Sequence, residues 1–328
     1  MSPDPRLGRL HEWIKEIIGN VPYTLKPVSG DASFRRYFRL RSEREQYIAV
    51  DSPPEKEANK AFAHITHLLE ADGLPVPHIH YSQLESGYFL LDDFGDTLLL
   101  DTLNPENADT LYNNALEALT VIQKIPAGSL PDYSQQLLSQ EMELFRQWFL
   151  SRLLAIQLSG SDQELLNQTF THLRNNALDQ PQVFVHRDYH SRNLMQINAD
   201  WPGIIDYQDA VCGPLTYDLV SLLRDCYIGW PSARVETWAL RYKDKLLRHN
   251  IISNIENDIF LKWFDLMGIQ RHLKAIGIFS RLKLRDGKSG YLQDIPRTLG
   301  YIKTVAPKYP ETRELADFIN EKVSFRPQ

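Results

Sequence analysis

The chain has 328 residues, 43% of them hydrophobic and 24% charged, with a formal net charge of −6 and a pI near 5.9. These values suit a globular protein of one large domain or two lobes, and they leave no basic footprint for nucleic acid. Two cysteines, Cys212 and Cys226, exclude a disulfide scaffold or a Cys-based zinc site, and no run approaches the roughly 18 apolar residues of a membrane span.

Both cysteines read as buried small hydrophobes of a reducing compartment, so the expectation is a soluble cytoplasmic protein engaging neither membrane nor nucleic acid. The opening "MSPDPRLGRLHEWIKEI" lacks the apolar core of a signal peptide and predicts an amphipathic helix from about Asp4. "FRRYFRL" (34–40) and "QYIAV" (46–50) alternate on either side of the charged turn "RSERE" and predict a hairpin. After Pro53-Pro54, apolar residues at Ala58, Phe62, Ile65, Leu68 and Leu69 predict a helix closed by Gly73. "HIHYSQLESGYFLLDDF" (78–94) predicts two short strands around Glu85-Ser86-Gly87.

From residue 104 the pattern turns helical. "PENADTLYNNALEALTVIQKI" offers Asn104 as N-cap and Pro105 at the first helical position. Helical periods follow over 134–158, 162–177, 216–228, 232–249 and 255–284, interrupted by a hairpin, "NLMQIN" and "IIDY" across "ADWPG". Strands first and helices after predict an α+β, bilobal chain. The expected division is a small β-rich lobe (1–94) and a large helical lobe (95–328).

The chemistry sits in "VFVHRDYHSRNLMQIN" (183–198) and "PGIIDYQDA" (202–210). Asp188 and Asn193 stand five apart in a polar stretch between the apolar runs "VFV" and "LMQI", and Asp206 closes "IIDY". Oxygen-bearing side chains at the ends of adjacent strands suit phosphoryl transfer. Mg2+ takes few protein oxygens and keeps the rest of its shell for water and phosphate. A carboxylate must also take or orient the proton of the attacking hydroxyl. Asp188 fits the base; Asn193 and Asp206 fit the metal ligands. Alone, Asp-x4-Asn would read as loop residues, with His186 a core imidazole. The whole pattern, His-x-Asp-x4-Asn, strand, turn, strand, Ile-Ile-Asp, favours a kinase.

That pattern resembles the fold shared by protein kinases and the aminoglycoside phosphotransferase/choline kinase group, and the second group fits better. His190 stands two residues after Asp188, where a protein kinase usually has Lys, and no Ala-Pro-Glu follows Asp206. "QDAVCGPLTYDLVSLLRD" instead resembles the Gly-Pro-x-x-Tyr-Asp-Leu segment of aminoglycoside phosphotransferases. Its Asp218, with His186, Arg187 and His190, would support the catalytic loop. The resemblance implies ATP as donor and Mg2+ as its metal. Asp93-Phe94-Gly95 spells the kinase metal triplet, but it lies about ninety residues before the catalytic loop, whereas that triplet follows it. Its place corresponds to the interlobe hinge, where backbone groups of Leu91, Asp92, Asp93 and Phe94 would meet adenine.

"SGDASFRRYFRL" (29–40), "VDSPPEKE" (50–57), "HRDYHSRNLM" and "FDLMGIQRHLKAIGIFSRLKLRDGKSGYL" (264–292) are similar to one bacterial subgroup of that group. It contains the anomeric N-acetylmuramate/N-acetylglucosamine kinases of peptidoglycan recycling. This implies an amino sugar as partner, phosphorylated on its anomeric hydroxyl. The phosphate loop would comprise Ser29, Gly30, Asp31, Ala32 and Ser33, with one glycine where several are expected. Where the phosphate-pairing Lys is expected, "YIAVD" places Asp51; Arg35, Arg36, Lys56 and Lys60 are the alternative cations.

On the acceptor side, Arg271, Lys274, Gly277 and Arg281 fall at helical spacing. They would form either a basic face for a carboxylate-bearing sugar or a solvated charged face. Tyr227, Trp230 and Trp263 would stack on a sugar or belong to the core. The rival readings are an aminoglycoside phosphotransferase or other small-molecule kinase, and a nucleotide-binding pseudokinase.

Overall fold

A computed structural model describes residues 4–28 and 34–327; the expected phosphate loop, Ser29 to Ser33, lies outside the described residues. In chain order the elements are α1 (Pro5–Ile18), β1 (Tyr23–Pro27), β2 (Arg36–Ser42), β3 (Gln46–Asp51), α2 (Asn59–Ala71), β4 (Ile79–Gln83) and β5 (Tyr88–Leu91). Then come α3 (Leu99–Thr102), α4 (Ala108–Lys124), α5 (Gln135–Leu144), α6 (Gly160–Leu178), β6 (Gln182–Val185), β7 (Leu194–Met195) and β8 (Gly203–Ile204). The chain closes with β9 (Val211–Pro214), α7 (Tyr217–Leu223), α8 (Ser232–Arg248), α9 (Asn257–Asp286), α10 (Ile295–Val305) and α11 (Pro310–Lys322). No helix among the described residues is long and apolar enough to cross a membrane.

The first unit comprises residues up to Leu98 together with Leu194–Asp209. Its antiparallel sheet runs β1-β2-β3-β5-β4. Alternation divides the strand residues between two faces. Phe38, Leu40, Ala49, Tyr88 and Leu90 pack on Leu10, Trp13 and Ile14 of α1, a helix capped by the Asp4 carboxylate. On the opposite face, Phe62 of α2 meets Phe89 edge-on at 5.3 Å and lies parallel to Tyr207 at 5.7 Å.

The expected boundary at residue 94 thus falls after Leu98, and the hairpin of β7 and β8 joins the strand-rich unit. Backbone bonding explains this. Leu98 bridges to Met195, Gln196 donates to the Thr97 carbonyl, and Ile204 donates to that of Pro75.

The second unit, Leu99–Asn193 and Ala210–Gln328, is mainly helical around α9, with the two-stranded pair β6–β9. Two helix limits differ from expectation. Asn104 does not cap α4: its side chain accepts the amides of Glu106 and Asn107, closing a turn before the helix starts at Ala108. The long helix expected over 134–158 starts at the Ser134 cap, is α-helical only to Leu144, and continues as π-helix from Phe145 to Leu153.

At that junction α9 packs closely. A Cβ on Gly277 would lie 2.4 Å from the Leu144 carbonyl carbon and 2.6 Å from the Phe145 nitrogen. Gly277 therefore marks a helix contact and is not part of a binding face. Gly277→Ala is expected to cost about 1–3 kcal/mol through overpacking, read as a lower urea midpoint; an unchanged midpoint would contradict the contact. Of the two cysteines, Cys226 is buried and Cys212 only half-buried, so the expectation of burial holds for one.

Candidate active site

The segment expected to form the catalytic loop, residues 186–193, lies in the second unit. It follows β6, whose apolar side chains fix the strand's end. His190 N–H donates to the Asp188 carbonyl, and Asn193 N–H donates to that of His190. The Asn193 amide nitrogen also donates to the Asp188 carbonyl at 3.0 Å, which leaves Oδ1 as that side chain's acceptor end. Asp188 and Asn193 are therefore joined directly. Around them, Tyr189 donates to the Ala115 carbonyl at 2.7 Å, and Ser191 donates through N and Oγ to Asp225 at 2.9 and 2.5 Å.

Asp218 accepts the amides of His186 at 2.6 Å and Arg187 at 3.0 Å. This lets Arg187 hold a φ of 77°, in the left-handed region that a side chain disfavours. Burial lifts the Asp218 carboxyl to about 7, against the pull of those two amide donors.

Asp188 behaves oppositely. Burial raises its pKa, but the cations of Lys274, His190, Arg271 and Arg187 outweigh that and bring it down to about 2. Burial lowers the His190 pKa in turn. Because the Asp188 pKa is depressed, its charge is present throughout pH 5–9 and lost only as pH falls toward 2. The kcat/KM profile is therefore expected to show no acid limb from the base above pH 5. A limb there that Asp188→Glu displaced would contradict it.

Arg271 and Lys274 are buried, which overturns the solvated-face alternative for these two. Lys274 Nζ lies 3.0 Å from Glu141 Oε1 and donates to Tyr217 Oη at 2.9 Å. Burial opposes the Lys274 charge, but the Glu141 carboxylate raises its pKa above the ordinary value. Glu141 also accepts from Arg187 at 2.5 Å and from Tyr133. Arg271 Nη1 points at Cys226 Sγ, 3.8 Å away, while its Nε is buried without a hydrogen-bond partner among the described residues.

Tyr227 packs edge-on to His190 at 5.2 Å, with Arg192 over its ring at 3.8 Å. Trp230 donates to Tyr112 Oη at 2.9 Å and stands edge-on to Trp238, within the packing of α4 and α8. Glu141 and Asp225 escaped the sequence reading, since each is one carboxylate in a helical or polar run with no spacing to mark it.

Asp206 belongs to the first unit. It too has a left-handed backbone, φ 66°, and its Oδ1 accepts from Gln208 at 2.7 Å. Positive φ in a non-glycine residue costs energy and clusters at functional positions. Asp93 is engaged elsewhere: its carboxylate accepts from Arg39 at 2.6 and 3.0 Å, from Gln46 at 2.7 Å and from the Gly95 amide at 3.0 Å. Such a carboxylate has no oxygen left to offer a metal. Of the backbone groups expected to meet adenine, the Asp92 amide donates to the His78 carbonyl and Leu91 pairs within the sheet.

The family model for the phosphotransferase enzyme family matches residues 24–250. The chain belongs to this family. It is 42% identical to the N-acetylmuramate/N-acetylglucosamine kinase of Pseudomonas putida, over 97% of each chain. The enzyme of the same name from Neisseria meningitidis is 36% identical, over 96% of this chain and 95% of the relative. Among solved structures, the choline kinase LicA of Streptococcus pneumoniae superposes with a TM-score of 0.64 over 91% of this chain and 99% of the other, at 12% identity. The ADP-bound aminoglycoside phosphotransferase APH(2'')-Ib gives 0.59 over 89% and 97%, at 14% identity. The α+β protein-kinase-like fold of the family is thereby established for this chain.

Proposed function

We propose that this chain transfers the γ-phosphoryl group of ATP to the anomeric hydroxyl of N-acetylmuramate and N-acetylglucosamine, in the cytoplasm and in the service of cell-wall recycling. The observation that carries the acceptor is full-length likeness, at 36–42% identity, to relatives named for that activity. Asp188, ionised at neutral pH, takes the proton from the attacking hydroxyl as the new P–O bond forms and the bond to ADP breaks. Asn193 Oδ1 and the Asp206 carboxylate are hard oxygen donors of the type Mg2+ accepts. No group of three or more His, Cys, Asp and Glu suited to a metal occurs among the described residues. Mg2+ takes few protein oxygens and leaves phosphate and water to complete its shell. When bound, Mg2+ neutralises charge on the phosphates.

Arg271 and Lys274 place positive charge near Asp188, which favours a neutral or anionic sugar over a polycationic aminoglycoside. Tyr227, packed against His190, offers an aromatic surface beside the loop. The pseudokinase reading, motivated by Asp51, loses force because two arginines answer that carboxylate, Arg6 at 2.8 Å and Arg36 at 2.9 Å. The test is coupled ADP release with ATP and Mg2+ against N-acetylmuramate, N-acetylglucosamine, glucose, choline and kanamycin. Turnover with the two N-acetyl sugars, giving an acid-labile phosphate, is the expected result. Turnover with kanamycin alone would keep the chemistry and overturn the acceptor.

A further inference from the structure

Kinases of this fold hold the nucleotide phosphates with a lysine on β3 that is steadied by a helix glutamate. In this chain the residue at that place is Asp51, and the strand register shows why a lysine there would not serve. Asp51 pairs with Arg36 on β2 and with Tyr88 on β5. It faces the α1 side, where Arg6 and Arg36 close on it and its side chain is fully buried. Arg36 is further tied to Asp4. Lys56 and Lys60 are exposed.

One residue earlier, alternation sends the side chain to the other face. Arg35 is 5% exposed; its Nε donates to Ser52 Oγ at 3.0 Å and lies 3.5 Å from Glu57 Oε2. Its guanidinium covers the Phe62 ring at 5.0 Å, and Phe62 lies parallel to Tyr207, the neighbour of Asp206. Ser52 is itself anchored: its Oγ donates to Asn59 Oδ1 at 2.6 Å, and its carbonyl accepts from Asn59 Nδ2 at 3.0 Å. A Cβ on Gly87 would collide with that carbonyl. Tyr37, on the same face, feels both Arg35 and Asp206 once burial has raised its pKa.

We propose that Arg35, steadied by Glu57 and Ser52, is the cation that binds the ATP phosphates in place of the missing lysine. This inference rests on the kinase reading and adds to it the residue that the sequence left undecided among four. A carboxylate and a hydroxyl fix the plane of the guanidinium, and a planar fork of N–H donors is the geometry that suits phosphate oxygens.

The test is calorimetric binding of ADP and of adenosine to the full chain, in wild type and Arg35→Met, without acceptor. Loss of one charge-assisted contact predicts ADP binding weaker by about tenfold or more, with adenosine binding within about twofold. Equal weakening of both ligands would show a merely structural role and overturn the proposal. So would ADP binding that Arg35→Met leaves unchanged. Wild-type protein that binds ADP no better than adenosine would overturn the kinase reading itself, a separate result.

Should Arg35→Met fail to fold, 15N-arginine NMR of the wild-type chain decides. The Arg35 Nε resonance, assigned with Arg35→Lys, is expected to shift with ADP and stay with adenosine. A resonance that ADP leaves in place would remove Arg35 from the phosphate site.

Discussion

Asp188→Asn is expected to lower kcat by about 10³-fold, within the 10²–10⁴ range of a positioned general base, with ADP affinity unchanged. The asparagine keeps the shape and leaves intact the backbone carbonyl that orders Asn193. What it removes is the anion that the neighbouring positive groups, Lys274 first among them, stabilise. Because that anion persists down to a pH of about 2, the variant's deficit should be constant over pH 5–9, with no partial recovery at either end. A kcat within tenfold of wild type on a good acceptor would mean that the hydroxyl proton leaves by another route. The assignment of the base would then fall.

The pairing of Asp188 with Asn193 is legible because the two stand at a fixed spacing in a polar stretch between two apolar runs, and the structure joins them through the Asp188 carbonyl. The helices were readable for the same reason, since burial of one face repeats every three to four residues. What could not be read depends on which distant residues meet. Glu141 is one acid in an apolar helix, and only the fold shows it between Arg187 and Lys274. Arg271 and Lys274 look like a surface stripe in sequence, yet α9 is buried along most of its length and carries them inside. Gly277 reads as a gap in that stripe and is a backbone contact. The β-strand face, not the residue type, separates Arg35 from Arg36, and a face is known only once the register with Asp51 is fixed. The short strand β9 carries no periodic signal in "VCGP" and was missed for that reason.

Glu141→Ala should be the most destabilising single change near the site. Glu141 is 6% exposed and answers one buried cation, Lys274, one half-buried cation, Arg187, and a buried phenol. Breaking a buried pair by deleting one partner costs about 3–5 kcal/mol, because the remaining charge stays desolvated. Here two charges are left, so the urea midpoint of the helical unit should fall sharply, with Glu141→Gln intermediate because it keeps an acceptor for Tyr133. The charge argument makes a further demand. Lys274→Met placed on top of Glu141→Gln removes one of the stranded cations, so the double variant should recover part of the stability lost by Glu141→Gln alone, a non-additivity expected only of residues in direct contact. Its activity should not recover, since the ammonium that holds Asp188 ionised is gone with it. If stability and activity instead fell together and additively, Glu141 would be acting through packing alone. Lys274 would then owe its burial to the core, and the electrostatic account of Asp188 would rest on Arg271, Arg187 and His190 without it.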